Sequence, residues 1–261
     1  MEVVILESPR EVSRLAARMV GRLVRDKPRA VLGLATGETP VEMYAELVRV
    51  HGEEGLDFSR VTTFNLDEYV GLDPDHPASY HAYMNQHLFS GVNLARRRIH
   101  LPDGRADDIA QECRAYEAAI FEAGGIDLQV LGLGRDAHIG FNEPTSSLGS
   151  RTRIKTLDDS TVEANARFFG EGEAVPRHVI TMGIQTVMEA QHCLVMACGS
   201  TKASAVARMI EGPVMSMAPA SVLQMHPRVT VILDGPAADG LAMRAYFEDV
   251  YRNKPAWQDL G

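Results

Sequence analysis

Apolar positions along this chain alternate between short runs and helical stripes. Val3-Val4-Ile5-Leu6 is a four-residue apolar run flanked by Glu2 and Glu7, which predicts a buried first strand. Ser8-Pro9-Arg10-Glu11 then reads as a capping box with proline at the first helical position, and Val12, Leu15, Ala16, Met19, Val20 and Leu23 follow at the period of an amphipathic helix. The alternation returns with a strand from Ala30 to Leu34, the turn Thr36-Gly37-Glu38, and a second capping box, Thr39-Pro40-Val41-Glu42, opening a helix to about Val50. A strand from Val61 to Leu66 ends at Asp67-Glu68. Ile109, Cys113, Tyr116 and Ile120 mark a helix ahead of an apolar run at 126–133 that is closed by glycine. Cys193 to Ala197 runs into Ser200-Thr201-Lys202 and a helix to Glu211, and Val229 to Leu233 reads as a further strand. Strands alternating with helices predict one α/β domain over 1–261, Rossmann-like, with a mostly parallel sheet and helices on both faces. One segment, 158–176, breaks the rhythm. It is acidic and glycine-bearing yet carries Phe168-Phe169, and it reads equally as a surface connection or as a lid over a site.

Composition narrows the function classes. With 45% hydrophobic and 23% charged residues, 261 residues suffice for a full core. The formal charge of −9 argues against nucleic acid or an anionic membrane as partner, so an anionic ligand needs a local basic pocket. The N-terminus lacks the features of a signal peptide, and no stretch reaches membrane-spanning length. Cys113, Cys193 and Cys198 have neither metal-ligand spacing nor an even count, which points to buried thiols in a reducing, cytoplasmic setting.

Five places along the chain carry candidate chemistry. Gly134 to Pro144, just past the 126–133 run, contains Asp136, His138, Asn142 and Glu143, an acid/base set where open α/β sheets keep their active sites. Turn formers and a satisfied histidine are the bland reading; convergence of several polar groups favours chemistry. Thr36 and Gly37 lie between a strand and a helix start, where free N–H groups and the helix dipole suit a phosphate, although the spacing is that of neither a nucleotide P-loop nor a dinucleotide fingerprint. Lys202 stands at another helix start, poorly placed for the dipole unless an anion intervenes. Arg167, in the candidate lid, is either a further phosphate contact or solvated. Asp67 and Glu68 end a strand, and alternation lets at most one of them face a given ligand.

The set Gly33-Leu34-Ala35-Thr36-Gly37, Thr39-Pro40, Phe64 to Tyr69, Asp136 to Pro144 and Ser150 to Arg153 resembles the glucosamine-6-phosphate deaminase (isomerase) family over nearly the whole chain. The resemblance implies conversion of glucosamine 6-phosphate to fructose 6-phosphate and ammonia in amino-sugar catabolism, a hydrolase reaction with no cofactor and no metal. It implies His138 for ring opening, Asp136 and Glu143 to hold and tune its ring, Asp67 as the base for the C2-to-C1 proton, and Thr36, Gly37, Arg167 and Lys202 on the phosphate. Allosteric members bind N-acetylglucosamine 6-phosphate between subunits of a hexamer, and Ser146, Arg153, Lys155, Thr156 and Tyr246 match those positions, though a solvated basic face is the default for Arg151 to Lys155. Two positions depart from the family pattern. Ala137 stands where glycine is common, and a positive φ there costs about 1 kcal/mol. Glu38 stands in the phosphate loop, where a small residue is common.

Rival readings remain: a 6-phosphogluconolactonase-like hydrolase, a non-catalytic sugar-phosphate sensor, and a metal hydrolase using Asp136, His138 and Glu143. The pairing of Asp67 with Asp136–Glu143 disfavours the first, the joint presence of Asp67 and His138 the second, and a single histidine in the cluster the third.

Overall fold

The computed structural model describes residues 1–170, 172–255, 258 and 260; Glu171, within the candidate lid, lies outside the described residues. In chain order the elements are β1 (Glu2–Leu6), α1 (Pro9–Asp26), β2 (Val31–Leu34), α2 (Val41–Glu54), β3 (Thr62–Asn65), β4 (Asp67–Tyr69), α3 (Tyr80–His87), β5 (Ile99–His100), α4 (Ile109–Glu122) and β6 (Leu128–Gly132). There follow β7 (Arg153–Thr156), α5 (Asp159–Asn165), β8 (His178–Thr181), α6 (Ile184–Met188), β9 (Cys193–Ala197), α7 (Ala203–Ile210), β10 (Val229–Asp234) and α8 (Arg244–Arg252).

The apolar runs pair as a seven-stranded parallel sheet in the order β1-β10-β9-β6-β2-β3-β5. Strands β2, β9 and β10 are buried along their whole length, as strands covered on both faces must be. From β2 the chain steps toward β5, and from β6 it steps back toward β1. With right-handed crossovers this reversal sends α1 and α2 to one face and α4 and α7 to the other. Gly33 is required where β2 passes β6, because a Cβ there would fall 2.0 Å from the Gln129 side chain.

Two features differ from the sequence reading. Asp67–Tyr69, Arg153–Thr156 and His178–Thr181 form a separate antiparallel sheet, β4-β8-β7. Three polar-rich residues and an edge strand of alternating exposure give too weak a period to be read as strands. The first capping box forms in part: Ser8 Oγ accepts from Glu11 N, while the Glu11 carboxylate returns to Glu7 N. The second does not form. Pro40, in helical conformation, occupies the N-cap of α2 itself without a side-chain cap, so the helix begins one residue later than the box requires.

The 158–176 segment folds as α5 and a 3₁₀ turn, Ala166–Phe168, and overlies the cavity described below. Its two phenylalanines divide the work. Phe169 packs edge-on to Tyr69 with centroids 5.5 Å apart and stacks on His76 at 6.0 Å, within a small second core that includes Phe141, Leu157 and Val179. Phe168 stays half exposed under the Arg167 guanidinium, 4.7 Å from its ring centroid. The segment is thus tethered at one aromatic and open at the other. Phe169→Ala should raise amide exchange across 159–169 by roughly tenfold, the equivalent of ~1.4 kcal/mol of local opening, while global Tm changes little; hydrogen-exchange mass spectrometry reads both.

Candidate active site

The reversal between β2 and β6 leaves a crevice at the carboxyl ends of the parallel strands, where ligands of open α/β sheets bind. A cavity of about 820 Å³ opens there. It is lined from the end of β2 by Thr36 and Gly37, from β4 by Asp67, from the β6 exit by Gly134, Asp136 and His138, from the β9 exit by Cys198 and Lys202, and from the lid by Thr161 and Arg167.

The turn after β2 is shaped by glycine and by two tyrosines. Gly37 takes φ +93°, a left-handed angle open to glycine. The Tyr44 hydroxyl donates to Ala35 O at 2.6 Å and that of Tyr83 to Gly37 O at 2.5 Å, fixing the carbonyls of a turn that leads into the amino end of α2. Across the cavity, Asp234 accepts from Gly199 N with both oxygens at 3.0 Å and anchors the turn that carries Lys202. The Lys202 ammonium donates to Leu133 O at 2.6 Å, and burial, then the nearby Arg135 guanidinium, lower its pKa. Arg167 is engaged by Glu38 at 3.1 Å, both side chains well exposed. Glu38, in the turn after β2, therefore faces a lid cation across the cavity mouth.

Asp136, His138 and Asp67 line the same cavity. His138 Nδ1 lies 2.6 Å from Asp136 Oδ1, and the same oxygen accepts from His138 N at 3.2 Å. Burial pushes the Asp136 carboxyl up, but hydrogen bonding to His138 and its charge outweigh this and hold it below the ordinary range. The imidazole rests on Gly134, where a Cβ would fall 2.4 Å from the ring. Between Asp136 and His138, Ala137 takes φ +67°, the positive angle that is strained for a residue other than glycine, and its methyl is fully buried. Asp67 is 4% exposed, with its carboxyl pushed up to about 8 by burial and then by the charge of Glu68. Its Oδ2 faces Gly140, so β4 and the 134–144 loop meet at the base. Glu68 points away from the cavity, as alternation requires. Glu143 is bound to the lid: its carboxylate accepts from Thr161 Oγ1 at 2.5 Å and from Asp158 N at 3.4 Å. Asp136 is the carboxylate that meets the imidazole, and Glu143, on the same loop, ties that loop to the lid.

Residues 7–232 match the family model described as glucosamine-6-phosphate isomerases/6-phosphogluconolactonase. The chain belongs to this family. It is 54% identical to a glucosamine-6-phosphate deaminase from Arthrobacter sp. (strain FB24) and 51% identical to one from Mycolicibacterium smegmatis, each match covering all of both chains. A solved structure described as a monomeric glucosamine-6-phosphate deaminase superposes with a TM-score of 0.89 at 45% identity, covering 92% of this chain and 100% of that one. A 6-phosphogluconolactonase from Trypanosoma cruzi, at 20% identity and TM-score 0.74, shares the fold.

Within this family fold, the residues matched to an effector site fall on separate elements. Ser146 is buried, and Arg153, partly buried on β7, donates to Asn142 Oδ1 at 2.9 Å, tying that strand to the loop that carries His138. Lys155 and Thr156 continue β7. Tyr246 is 56% exposed on α8, which packs against β1 at the far edge of the main sheet. Tyr44, Tyr83, Asp234 and Thr181, which donates no chemistry but accepts from Phe141 N at 3.1 Å, support the site without a sequence signal, since each is a single residue of an ordinary element. Among the described residues no three His, Cys, Asp or Glu side chains converge as metal ligands, and no helix is long and apolar enough to cross a membrane.

A carboxyl raised from 3.8 to about 8 binds its proton in the folded chain where the unfolded chain has lost it. Stability is therefore full below about pH 4 and is lost as pH rises through that window to about 8. Asp67→Asn should raise Tm at pH 8.5, by about 2–4 °C for each kcal/mol relieved, and the gain should shrink toward pH 4; calorimetry over pH 4–9 measures it.

Proposed function

We propose that this chain converts glucosamine 6-phosphate and water to fructose 6-phosphate and ammonia. The observation that carries the reading is Asp67 and the Asp136–His138 pair on one cavity whose mouth holds Lys202 and Arg167. Thr36, Gly37, Lys202 and Arg167 hold the phosphate, so binding energy remote from the reacting carbons orients them. His138, its Nδ1 set by Asp136, moves the proton between the anomeric hydroxyl and the ring oxygen as the pyranose opens. Asp67 takes the proton from C2, giving an enolamine, and delivers it to C1; water then hydrolyses the resulting imine at C2 and releases ammonia. A carboxyl with a raised pKa suits this step, because it holds the proton between removal and delivery. The net consumption of water makes the enzyme a hydrolase.

The effector reading rests on Arg153, which links β7 to the catalytic loop through Asn142. N-acetylglucosamine 6-phosphate on Arg153, Lys155 and Ser146 would act on that link. Tyr246 lies on a separate element, α8, and a neighbour described as monomeric speaks against carrying a hexamer over.

Purified protein should release ammonia and fructose 6-phosphate in equal amounts, with chelator present, and kcat/KM should fall below about pH 8 as Asp67 takes up its proton. Absence of both products from glucosamine 6-phosphate would sink the proposal. Glu38→Ser should free Arg167 for the phosphate and lower KM by about threefold at low salt, with kcat unchanged and the gain shrinking as salt screens the charges. An unchanged KM would show that Glu38 does not compete with the substrate.

A further inference from the structure

Two tyrosines that the chemistry above leaves unused stand between the turn after β2 and the lid. Tyr69 ends β4, and Tyr80 opens α3 with its backbone N–H given to Glu68 Oε1 at 3.1 Å. Their ring centroids are 5.2 Å apart. Phe141 faces Tyr80 at 6.2 Å with the two planes 9° apart, and the lid's Phe169 meets Tyr69 edge-on at 5.5 Å. Aromatic contacts therefore fix where both hydroxyls sit.

Those hydroxyls form a chain. Tyr80 Oη is hydrogen-bonded to the Thr36 side chain at one end and to the Tyr69 hydroxyl at the other, and the side-chain amide of Asn165, the last residue of α5, donates to Tyr69 Oη. Thr36, Tyr80 and Asn165 line the cavity, and Tyr69 is buried. Burial keeps both phenols protonated, pushing Tyr69 up to about 12 and Tyr80 well above its ordinary value. Each hydroxyl of the chain thus has one proton to give and an oxygen to accept with. The other link between lid and turn is the Arg167–Glu38 pair, which is well exposed, and a pair so open to water contributes little.

A single proton per hydroxyl imposes an order. A phosphate on Thr36 accepts the threonine's proton, so the bond between Thr36 and Tyr80 persists only with Tyr80 as donor. Tyr80 then accepts from Tyr69, which accepts from Asn165. With the anion in place every bond runs one way, from the lid amide to the phosphate, and each strengthens the next. Without it nothing imposes that direction. We infer that Tyr80 is a positioning residue: its hydroxyl, ordered by an anion on Thr36 and continued through Tyr69 to Asn165, couples occupation of the phosphate site to closure of the lid. The inference rests on the phosphate role of Thr36 proposed above and is independent of which reaction follows.

The test follows amide exchange across 159–169 by mass spectrometry, with inorganic phosphate as the probe. In the wild-type chain saturating phosphate should slow exchange by roughly three- to tenfold, the effect of one neutral hydrogen bond gained by the closed lid. Tyr80→Phe keeps the ring and its stacking on Phe141 and removes only the hydroxyl. Calorimetry should show that phosphate still binds it, while most of the slowing is lost and only the part due to Arg167 remains. In turnover of glucosamine 6-phosphate, Tyr80→Phe and Asn165→Ala should each raise KM by roughly three- to tenfold with a smaller change in kcat, and the double variant should raise it no further, because both cut one chain. Should Tyr80→Phe not fold, Tyr69→Phe cuts the same chain at the next link and carries the same expectations. Phosphate that slows lid exchange equally in wild type and Tyr80→Phe, or in neither, would overturn the inference, as would KM effects that multiply in the double variant. Lid exchange that answers to phosphate through Tyr80 in a protein that does not turn over glucosamine 6-phosphate would leave the coupling standing and sink the assigned reaction instead.

Discussion

Keeping one carboxyl group away from water is the constraint around which this molecule is arranged. Asp67 stands at the carboxyl end of the parallel sheet with 4% of its surface exposed. It is held there by a short antiparallel sheet on one side and by the backbone of Gly140 on the other. Burial costs stability at the pH where the group must ionise, and it confers a proton affinity that a surface aspartate lacks. Other local costs gather close by. Ala137 and Thr145, at either end of the segment that carries His138, have positive φ, and a β-branched residue adopts that angle only where its surroundings impose it.

The parallel sheet makes this arrangement possible by reversing its direction of winding between β2 and β6. The reversal opens the crevice, and each neighbouring strand then delivers one component at its carboxyl end. Lys202 and the β2 turn suit one part of the cavity to an anion, and Asp67 and the Asp136–His138 pair line another. The lid joins the two regions. Arg167 reaches Glu38 at the mouth, and Thr161 reaches Glu143 on the 134–144 loop. The lid is therefore tied both to the turn after β2 and to the 134–144 loop.

Much of this was legible in the chain. The alternation of apolar runs and helical stripes specifies the parallel sheet because buried strands and amphipathic helices carry strong periods; Cys193–Ala197 and the α1 stripe are clear cases. The acid/base cluster was legible because its members are contiguous in sequence. The small sheet was not. Asp67-Glu68-Tyr69 is three residues long, and its partners lie more than eighty residues away. The tyrosines that set the β2 turn were hidden for a similar reason, since Tyr44 and Tyr83 look like ordinary helix residues until the fold brings their hydroxyls to Ala35 and Gly37. The bond from Thr161 to Glu143, which ties the lid to the 134–144 loop, had no sequence signal either, since the two residues lie on separate segments.

The central claim is that Asp67 carries a proton from C2 to C1 of the opened sugar. Glucosamine 6-phosphate deuterated at C2 tests it most directly, with the fructose 6-phosphate analysed by NMR at early turnover. The account predicts deuterium at C1 with wild-type protein, and loss of turnover in Asp67→Asn with sugar-phosphate binding retained. Wild-type rates of ammonia release from Asp67→Asn would contradict it.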